Sequence, residues 1–323
     1  MAKAVRYHKQ GGPEVLQVDD VEVGEPGAGQ VRIRHTAIGV NYVDTYQRSG
    51  LYPMQLPATA GNEAAGVIDA VGPGVKGLKK GDRVCYTGIP GSYCEMRLLP
   101  ADRMVKLPSG ISDEVAASML LKGLTVHYLI FSTYKVQKGD TVLWHAAAGG
   151  VGLIALQWLK ARGAKTIATV GSDEKGRLAK AHGATWVVNY STENFVQKVK
   201  EITKGKGVPV VYDGVGKSTW EGSLDCLRPR GLIASFGNAS GAVPPVNLGI
   251  LSAKGSLYVT RPTLATHIAS RADLEARSKA LFSVVRSKKV RIETTQRYKL
   301  ADAAQAHRDL EGRKTTGSVI LVP

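Results

Sequence analysis

The run Thr141-Val142-Leu143-Trp144-His145-Ala146-Ala147-Ala148-Gly149-Gly150-Val151-Gly152 decides the fold. Residues 141–145 read as a short apolar strand, and residues 152–161 as a helix closing at Gly163, which can take the left-handed C-cap conformation. The cluster Ala147–Gly152 lies directly between them. Glycine lets a backbone approach a pyrophosphate, and a helix N-terminus offers unpaired N–H groups and the positive end of its dipole. The usual G-x-G-x-x-G has Ala147 at its first position here. Alone, such a cluster could be a plain tight turn. Between a strand and a helix, with more strand–helix units behind it, it reads as a dinucleotide site.

Working outward, the alternation continues with strands at 165–170, 186–189, 208–213 and 231–236 and helices near 174–182, 194–203 and 220–227. Alternation of this length predicts a parallel sheet covered on both faces. Upstream, residues 1 to about 125 read as short and β-rich. They show the alternating run Val31-Arg32-Ile33-Arg34-His35, the run Val67-Ile68-Asp69-Ala70-Val71, and turns at Gly11-Gly12-Pro13, Gly72-Pro73-Gly74 and Gly81-Asp82. After about residue 265 a basic amphipathic helix, a helix around 301–311 and a strand at 318–322 leave the rhythm, and the tail is expected to return to the first domain. The predicted class is α/β, with a β-rich, barrel-like domain (1–125 and 266–323) beside a doubly wound parallel-sheet domain (126–265).

Composition agrees. The 323 residues exceed one average domain, and 43% hydrophobic and 22% charged residues with 37 glycines describe a turn-rich globule. No stretch of about 18 apolar residues runs without a charge or glycine, and Met1–Tyr7 reads as a strand rather than a signal peptide. A cytoplasmic location without membrane association is expected. Cys85, Cys94 and Cys226 form no Cys-x-x-Cys pair, which suggests free packing thiols rather than disulfides or a zinc site. The net charge of +16 favours anionic partners, and residues 270–299 alone carry nine bases and three acids; such a run most simply reads as a solvated helix face.

The second strand bears on cofactor choice. An NAD-selective fold places a carboxylate at its end, about 20 residues past the loop, to hold the ribose 2′-hydroxyl. Here the strand ends Val170-Gly171-Ser172, with Lys175 on the opening turn of the next helix, a position that would accept a 2′-phosphate. Lys175 also reads as an ordinary exposed lysine, and Asp173 and Glu174 as first-turn residues favouring the dipole. The seven histidines show no ligand spacing, and His145 reads as a structural strand-end residue.

Whole-chain motifs add a resemblance. These are Gly11-Gly12-Pro13-Glu14-Val15-Leu16, Asn41-Tyr42-Val43-Asp44-Thr45-Tyr46, Arg48-Ser49-Gly50-Leu51-Tyr52-Pro53 and Gly61-Asn62-Glu63-Ala64-Ala65-Gly66. Further on come Leu121-Lys122-Gly123-Leu124-Thr125, the phosphate loop, Val211-Tyr212-Asp213 and Ser235-Phe236-Gly237-Asn238. With these the chain resembles the medium-chain dehydrogenase/reductase superfamily, and within it the zeta-crystallin-like NADPH:quinone oxidoreductases. The resemblance implies a GroES-like catalytic domain and a Rossmann domain with NADPH in the cleft between them. It implies Asn41 and Tyr46 at the nicotinamide end, Thr125 at the domain junction, and Gly149, Gly150 and Val151 at the pyrophosphate. Ser172, Lys175 and Tyr190 would surround the 2′-phosphate. Phe236, Asn238, Val259, Thr260 and Arg261 would line the nucleotide, with Arg313 reaching it. Gly214, also at the cofactor, stands where close relatives often carry serine. A homodimer is implied, pairing the strand around 257–260 across a two-fold axis.

Zinc relatives in that superfamily carry ligands where Asn41 and Asn62 stand, and amides are poor zinc ligands. No metal is expected. Tyr46 and Tyr52 read either as core aromatics or as walls of a flat-ring pocket, with Asn41, Tyr46 and Tyr52 as the candidate catalytic set. Three functions stay open: reduction of quinones, reduction of α,β-unsaturated ketones or aldehydes, and binding of single-stranded nucleic acid, the last without an interleaved aromatic and basic platform to support it.

Overall fold

The computed structural model describes all 323 residues, which divide into two compact units: Met1–Leu124 with His267–Arg286 and Ile292–Pro323, and Thr125–Thr266 with Ser287–Arg291. The short segment Ser287–Arg291 lies inside the stretch read as returning to the first domain, yet it groups with the second unit. The Gln157 side chain exchanges hydrogen bonds with the backbone of Arg291, accepting from its N–H at 2.8 Å and donating to its carbonyl at 2.9 Å.

In the first unit a seven-stranded sheet is built on the long strand Gln30–Val40. Glu63–Val71 pairs with it antiparallel along its length, Met96–Pro100 pairs with its first half, and Ser318–Val322 with its last residues. Register shifts at Arg32/Ile33 and His35/Ala37 bend this strand, as bulges do, and let the sheet curl around one core. Val31, Ile33, Ile38, Ile68, Tyr86 and Leu99 fill that core. The closeness of the two central strands depends on Gly66, where a Cβ would sit 2.1 Å from the Arg34 carbonyl.

The second unit holds six parallel strands in the order Trp186–Asn189, Lys165–Val170, Thr141–Trp144, Val208–Asp213, Leu227–Ser235, Tyr258–Thr260. Leu143, Ile167, Val188, Val211 and Ile233 form its core. The helices expected near 152–161, 174–182, 194–203 and 220–227 are Gly150–Ala161, Asp173–Ala181, Phe195–Thr203 and Trp220–Asp225. The strand expected at 231–236 already begins at Leu227, through an irregularity in its pairing with Val208–Asp213.

One element corrects the reading of residues 1–125 as short and β-rich. Asp113–Tyr128 is a helix of 16 residues, continued by a wider turn, Leu129–Thr133. Its apolar side chains are buried on all sides, so the sequence lacks the one-sided period that marks a surface helix. Asp113–Thr133 is long and apolar enough by length and composition to cross a bilayer, but 72% of that window is buried in the protein.

Candidate functional site

In the first unit the site residues gather where Gln30–Val40 ends and the helix Tyr42–Ser49 begins. Asn41, the N-cap, is buried, and its backbone N–H donates to Asp44 Oδ2 at 2.8 Å. Its side-chain Nδ2 is buried without a hydrogen-bond partner. An orphaned buried donor is costly, and such a group is a candidate for meeting a ligand. One helical turn on, Tyr46 lies edge-to-face with Tyr52, ring centroids 5.3 Å apart at 67°. Gly50 at φ 86° ends the helix and turns the chain so that the Tyr52 N–H reaches the Tyr46 carbonyl at 3.0 Å.

Asp44, which the sequence reading gave no role, is the centre of this region. It is buried and accepts from Asn41 N–H (2.8 Å), Asn62 Nδ2 (2.7 Å) and the Tyr93 hydroxyl (2.9 Å). Burial pushes its carboxyl up to about 6, against the pull of these hydrogen bonds and of Lys122. Beyond it the network has a direction. The Arg48 guanidinium can only donate, so His307 Nδ1, 2.9 Å from Nη1, accepts. The His307 proton is therefore on Nε2, donating to Tyr93 Oη at 3.0 Å, while Tyr93 O–H donates to Asp44. Arg48 closes the chain on Glu311 with two bonds of 2.7 and 3.1 Å. Burial, then Arg48, hold His307 down at about 3. Beside this chain, fully buried Glu63 accepts from Leu121 N–H at 2.6 Å and faces Lys122 Nζ at 3.5 Å. The Asn41-x-x-Asp44 spacing was a visible capping signal for Asp44. Nothing in the sequence pointed to His307 or Glu311.

In the second unit the phosphate loop has the shape its motif implies. Ala146 takes φ 52°, Gly149 caps Gly150–Ala161, and a Cβ on Gly152 would lie 2.4 Å from the Ala147 carbonyl. The first N–H groups of this helix, Gly150 and Val151 among them, have no intrahelical acceptor. Next to it, Ser172 caps Asp173–Ala181 by accepting from Lys175 N–H at 3.3 Å. A Cβ on Gly171 would meet the Tyr190 hydroxyl at 2.6 Å, so Tyr190, Ser172 and Lys175 surround one strand end that carries no carboxylate. Past the fifth strand, Arg261 donates to Ser235 Oγ and the Gly237 carbonyl, both at 3.1 Å, and to the Asn238 side-chain oxygen at 3.0 Å. Phe236 leans on Gly214, where any Cβ would touch its ring at 3.1 Å. Val259 and Thr260 lie on the edge strand with Val259 exposed, and Thr125 is buried in Asp113–Tyr128. Arg313 is exposed in the first unit, after the helix Ala303–Glu311. His145 is a structural residue: it is buried between Thr169 Oγ1 (2.8 Å) and Ser223 Oγ (3.0 Å).

A β-rich unit of this topology, a doubly wound parallel sheet with a glycine phosphate loop, and amides at the two ligand positions define a medium-chain dehydrogenase/reductase. Residues 27–109 match the alcohol dehydrogenase GroES-like domain and residues 150–276 the zinc-binding dehydrogenase family. A quinone oxidoreductase of Pseudomonas aeruginosa is 54% identical over the full length of both chains. The crystal structure of the Escherichia coli quinone oxidoreductase complexed with NADPH superposes with a TM-score of 0.98, at 51% identity and full coverage of both chains. A 2-haloacrylate reductase of Burkholderia is 45% identical over 100% of this chain and 99% of its own. The chain belongs to the quinone oxidoreductase family. The zinc in the matched family's description does not suit the residues present. Asn62 Nδ2 is committed to Asp44 and Gln47, each at 2.7 Å, and no group of three or more His, Cys, Asp or Glu is arranged to hold a metal.

Proposed function

We propose that this protein reduces quinones with NADPH. The observation that carries the reading is the buried, unpartnered Nδ2 of Asn41 at the N-cap of the helix whose Tyr46 ring packs edge-to-face on Tyr52, a donor and an aromatic pair suited to flat rings. Bound NADPH would supply a hydride equivalent from C4 of its nicotinamide. The N–H groups of Gly150 and Val151, with the Gly149 backbone close beside them, would hold its pyrophosphate, and Ser172, Lys175 and Tyr190 its 2′-phosphate. Phe236, Asn238, Val259, Thr260 and Arg261 would line the remaining nucleotide, past Gly214, and Thr125 and Arg313 complete the proposed set. Asn41 would orient the nicotinamide. Tyr46 and Tyr52 would hold the acceptor over it and donate to the oxygen on which charge develops, so orientation rather than a metal does the work.

The test is steady-state NADPH oxidation with 1,2- and 1,4-quinones beside a panel of enones, in the presence of a chelator. Turnover of simple alcohols without turnover of either class would overturn the reading. Lys175→Ala should raise KM for NADPH about tenfold and leave KM for NADH unchanged. Reduction of conjugated carbonyl compounds is the second reading, favoured by the 45% identity to the 2-haloacrylate reductase. A homodimer is also proposed. Tyr258 and Val259 are 60% and 41% exposed on the open edge of the sheet, and pairing two such edges would cover both. A cytoplasmic setting fits the three free, buried thiols.

A further inference from the structure

We propose that the end of the six-stranded sheet where its strands begin is a docking surface for an anionic phospholipid bilayer. All six strands are parallel, so their starts share one end. The segments that lead into and open them, residues 134–140, 161–165, 180–186, 200–208, 225–231 and 253–258, carry eleven Lys+Arg and three Asp+Glu. That difference, +8, is half of the +16 (43 − 27) of the whole chain. The segments that follow the strands, residues 145–149, 171–175, 190–194, 214–219, 236–248 and 261–263, carry three of each and are net neutral. The phosphate-loop end therefore does not account for the basic end.

Helix ends account for part of it. Arg162, Lys180, Lys200 and Lys204 stand in or just past last turns, where the dipole favours cations. Lys254 pairs with Asp225. Like those four helix-end residues, Lys135 follows a helical segment, Leu129–Thr133. Lys138, Lys165, Lys206, Arg228 and Arg230 are exposed on loops and strand starts that no helix end explains. Backbone hydrogen bonds tie neighbouring segments together, Gly139 to Gly163 and Lys165 to Asp140 in one group and Val208 to Cys226 and Arg230 to Gly255 in another, and the sheet itself sets the two groups side by side.

Six strands span roughly 24 Å at the usual spacing, a width that offers charge to a surface rather than converging on one small anion. Among the aromatic rings here Tyr134 and Trp186 are half-buried and only Tyr258 is exposed, which gives successive nucleic-acid bases no platform to stack on. The choice of a bilayer rests on the quinone reading, because lipophilic quinones partition into bilayers and a reductase held by charge would meet them there. Docking of this kind needs no spanning segment and reverses with salt.

The test is co-sedimentation of the NADPH-loaded protein with vesicles of phosphatidylcholine alone or with about 30 mol% phosphatidylglycerol, at low and raised salt. Binding to the anionic vesicles alone, lost as salt rises, is expected. One basic residue near such a surface is worth roughly fivefold in partition, so K138Q/K165Q/K206Q should weaken binding about 100-fold. K76Q/K79Q/K80Q, which removes the same charge from exposed positions of the first unit, should bind as the parent does, and both variants should keep parental turnover with a soluble quinone. Equal loss in both variants, no preference for anionic vesicles, or displacement of the vesicles by a single-stranded oligonucleotide would each overturn the proposal. Vesicle binding without quinone turnover would instead sink the quinone reading.

Discussion

At Asp44 a carboxylate sits where water cannot solvate it, held by the donors it positions. Protonating it removes an acceptor from Asn41 N–H, Asn62 and Tyr93, the groups that set the start of Tyr42–Ser49. The charges around it are Lys122 and Arg48 on one side and Glu63 on the other, with the Tyr7 and Tyr93 phenols beside it. With its carboxyl pushed up to about 6, turnover is expected to fall as pH drops below roughly 6 while KM for NADPH changes little. Asp44→Asn should lower kcat about tenfold and abolish that acid limb, and a pH–rate profile checks both. A variant that kept the limb would show that another group titrates. Half of this arrangement was legible: Asn41, Tyr46 and Tyr52 lie within 12 residues, and Asp44 at the capping distance. The other half was not, because His307 and Glu311 reach Arg48 from 259 and 263 residues away, and folding alone brings them together.

Short apolar runs bounded by turn residues were the readable elements, even where the strand is buried on both faces. Strands at 165–170, 186–189, 208–213 and 318–322 fall where apolar runs meet turn residues, and the structure has them at those bounds. Asp113–Tyr128 escaped because a helix buried on every side has no polar face to set its period. Two close approaches give predictions at this scale. Gly152→Ala would drive a Cβ to 2.4 Å from the rigid Ala147 carbonyl, so the loop must open; NADPH affinity should fall at least tenfold, measured by fluorescence titration. Arg48→Met keeps the volume of a side chain 2% exposed but strands Glu311 and His307 without their donor, tying Tyr42–Ser49 less firmly to Ala303–Glu311. A loss of about 1–3 kcal/mol in chemical denaturation is expected, because Arg48 is buried while Glu311, 35% exposed, can be solvated once its donor is gone.

For the whole molecule, the balance of buried titratable groups sets the response to acid. His35 donates through Nδ1 to the Cys94 carbonyl (2.7 Å) and accepts from Tyr86 O–H (3.0 Å), and burial holds it down at about 4. His307 is held at about 3, and burial also lowers His145, against the pull of Asp213. All three are neutral in the folded protein and take up protons on unfolding below about 6.5, so the stability they contribute is complete above that pH and is lost as pH falls toward 4 and 3. Asp44 and Glu63 act with the opposite sign: their raised folded pKa values favour the folded protein as pH falls. At pH 5, His35 and His307 together should cost about 4 kcal/mol relative to pH 7.5, and Asp44 should return about 1. The net of these three is a loss of about 3 kcal/mol, which His145 enlarges and Glu63 reduces. Urea denaturation at the two pH values checks it. A midpoint as high at pH 5 as at pH 7.5 would mean that at least two of these histidines are charged, or solvated, in the folded protein. His307→Gln, which can still accept from Arg48 and donate to Tyr93, should recover about half of the difference.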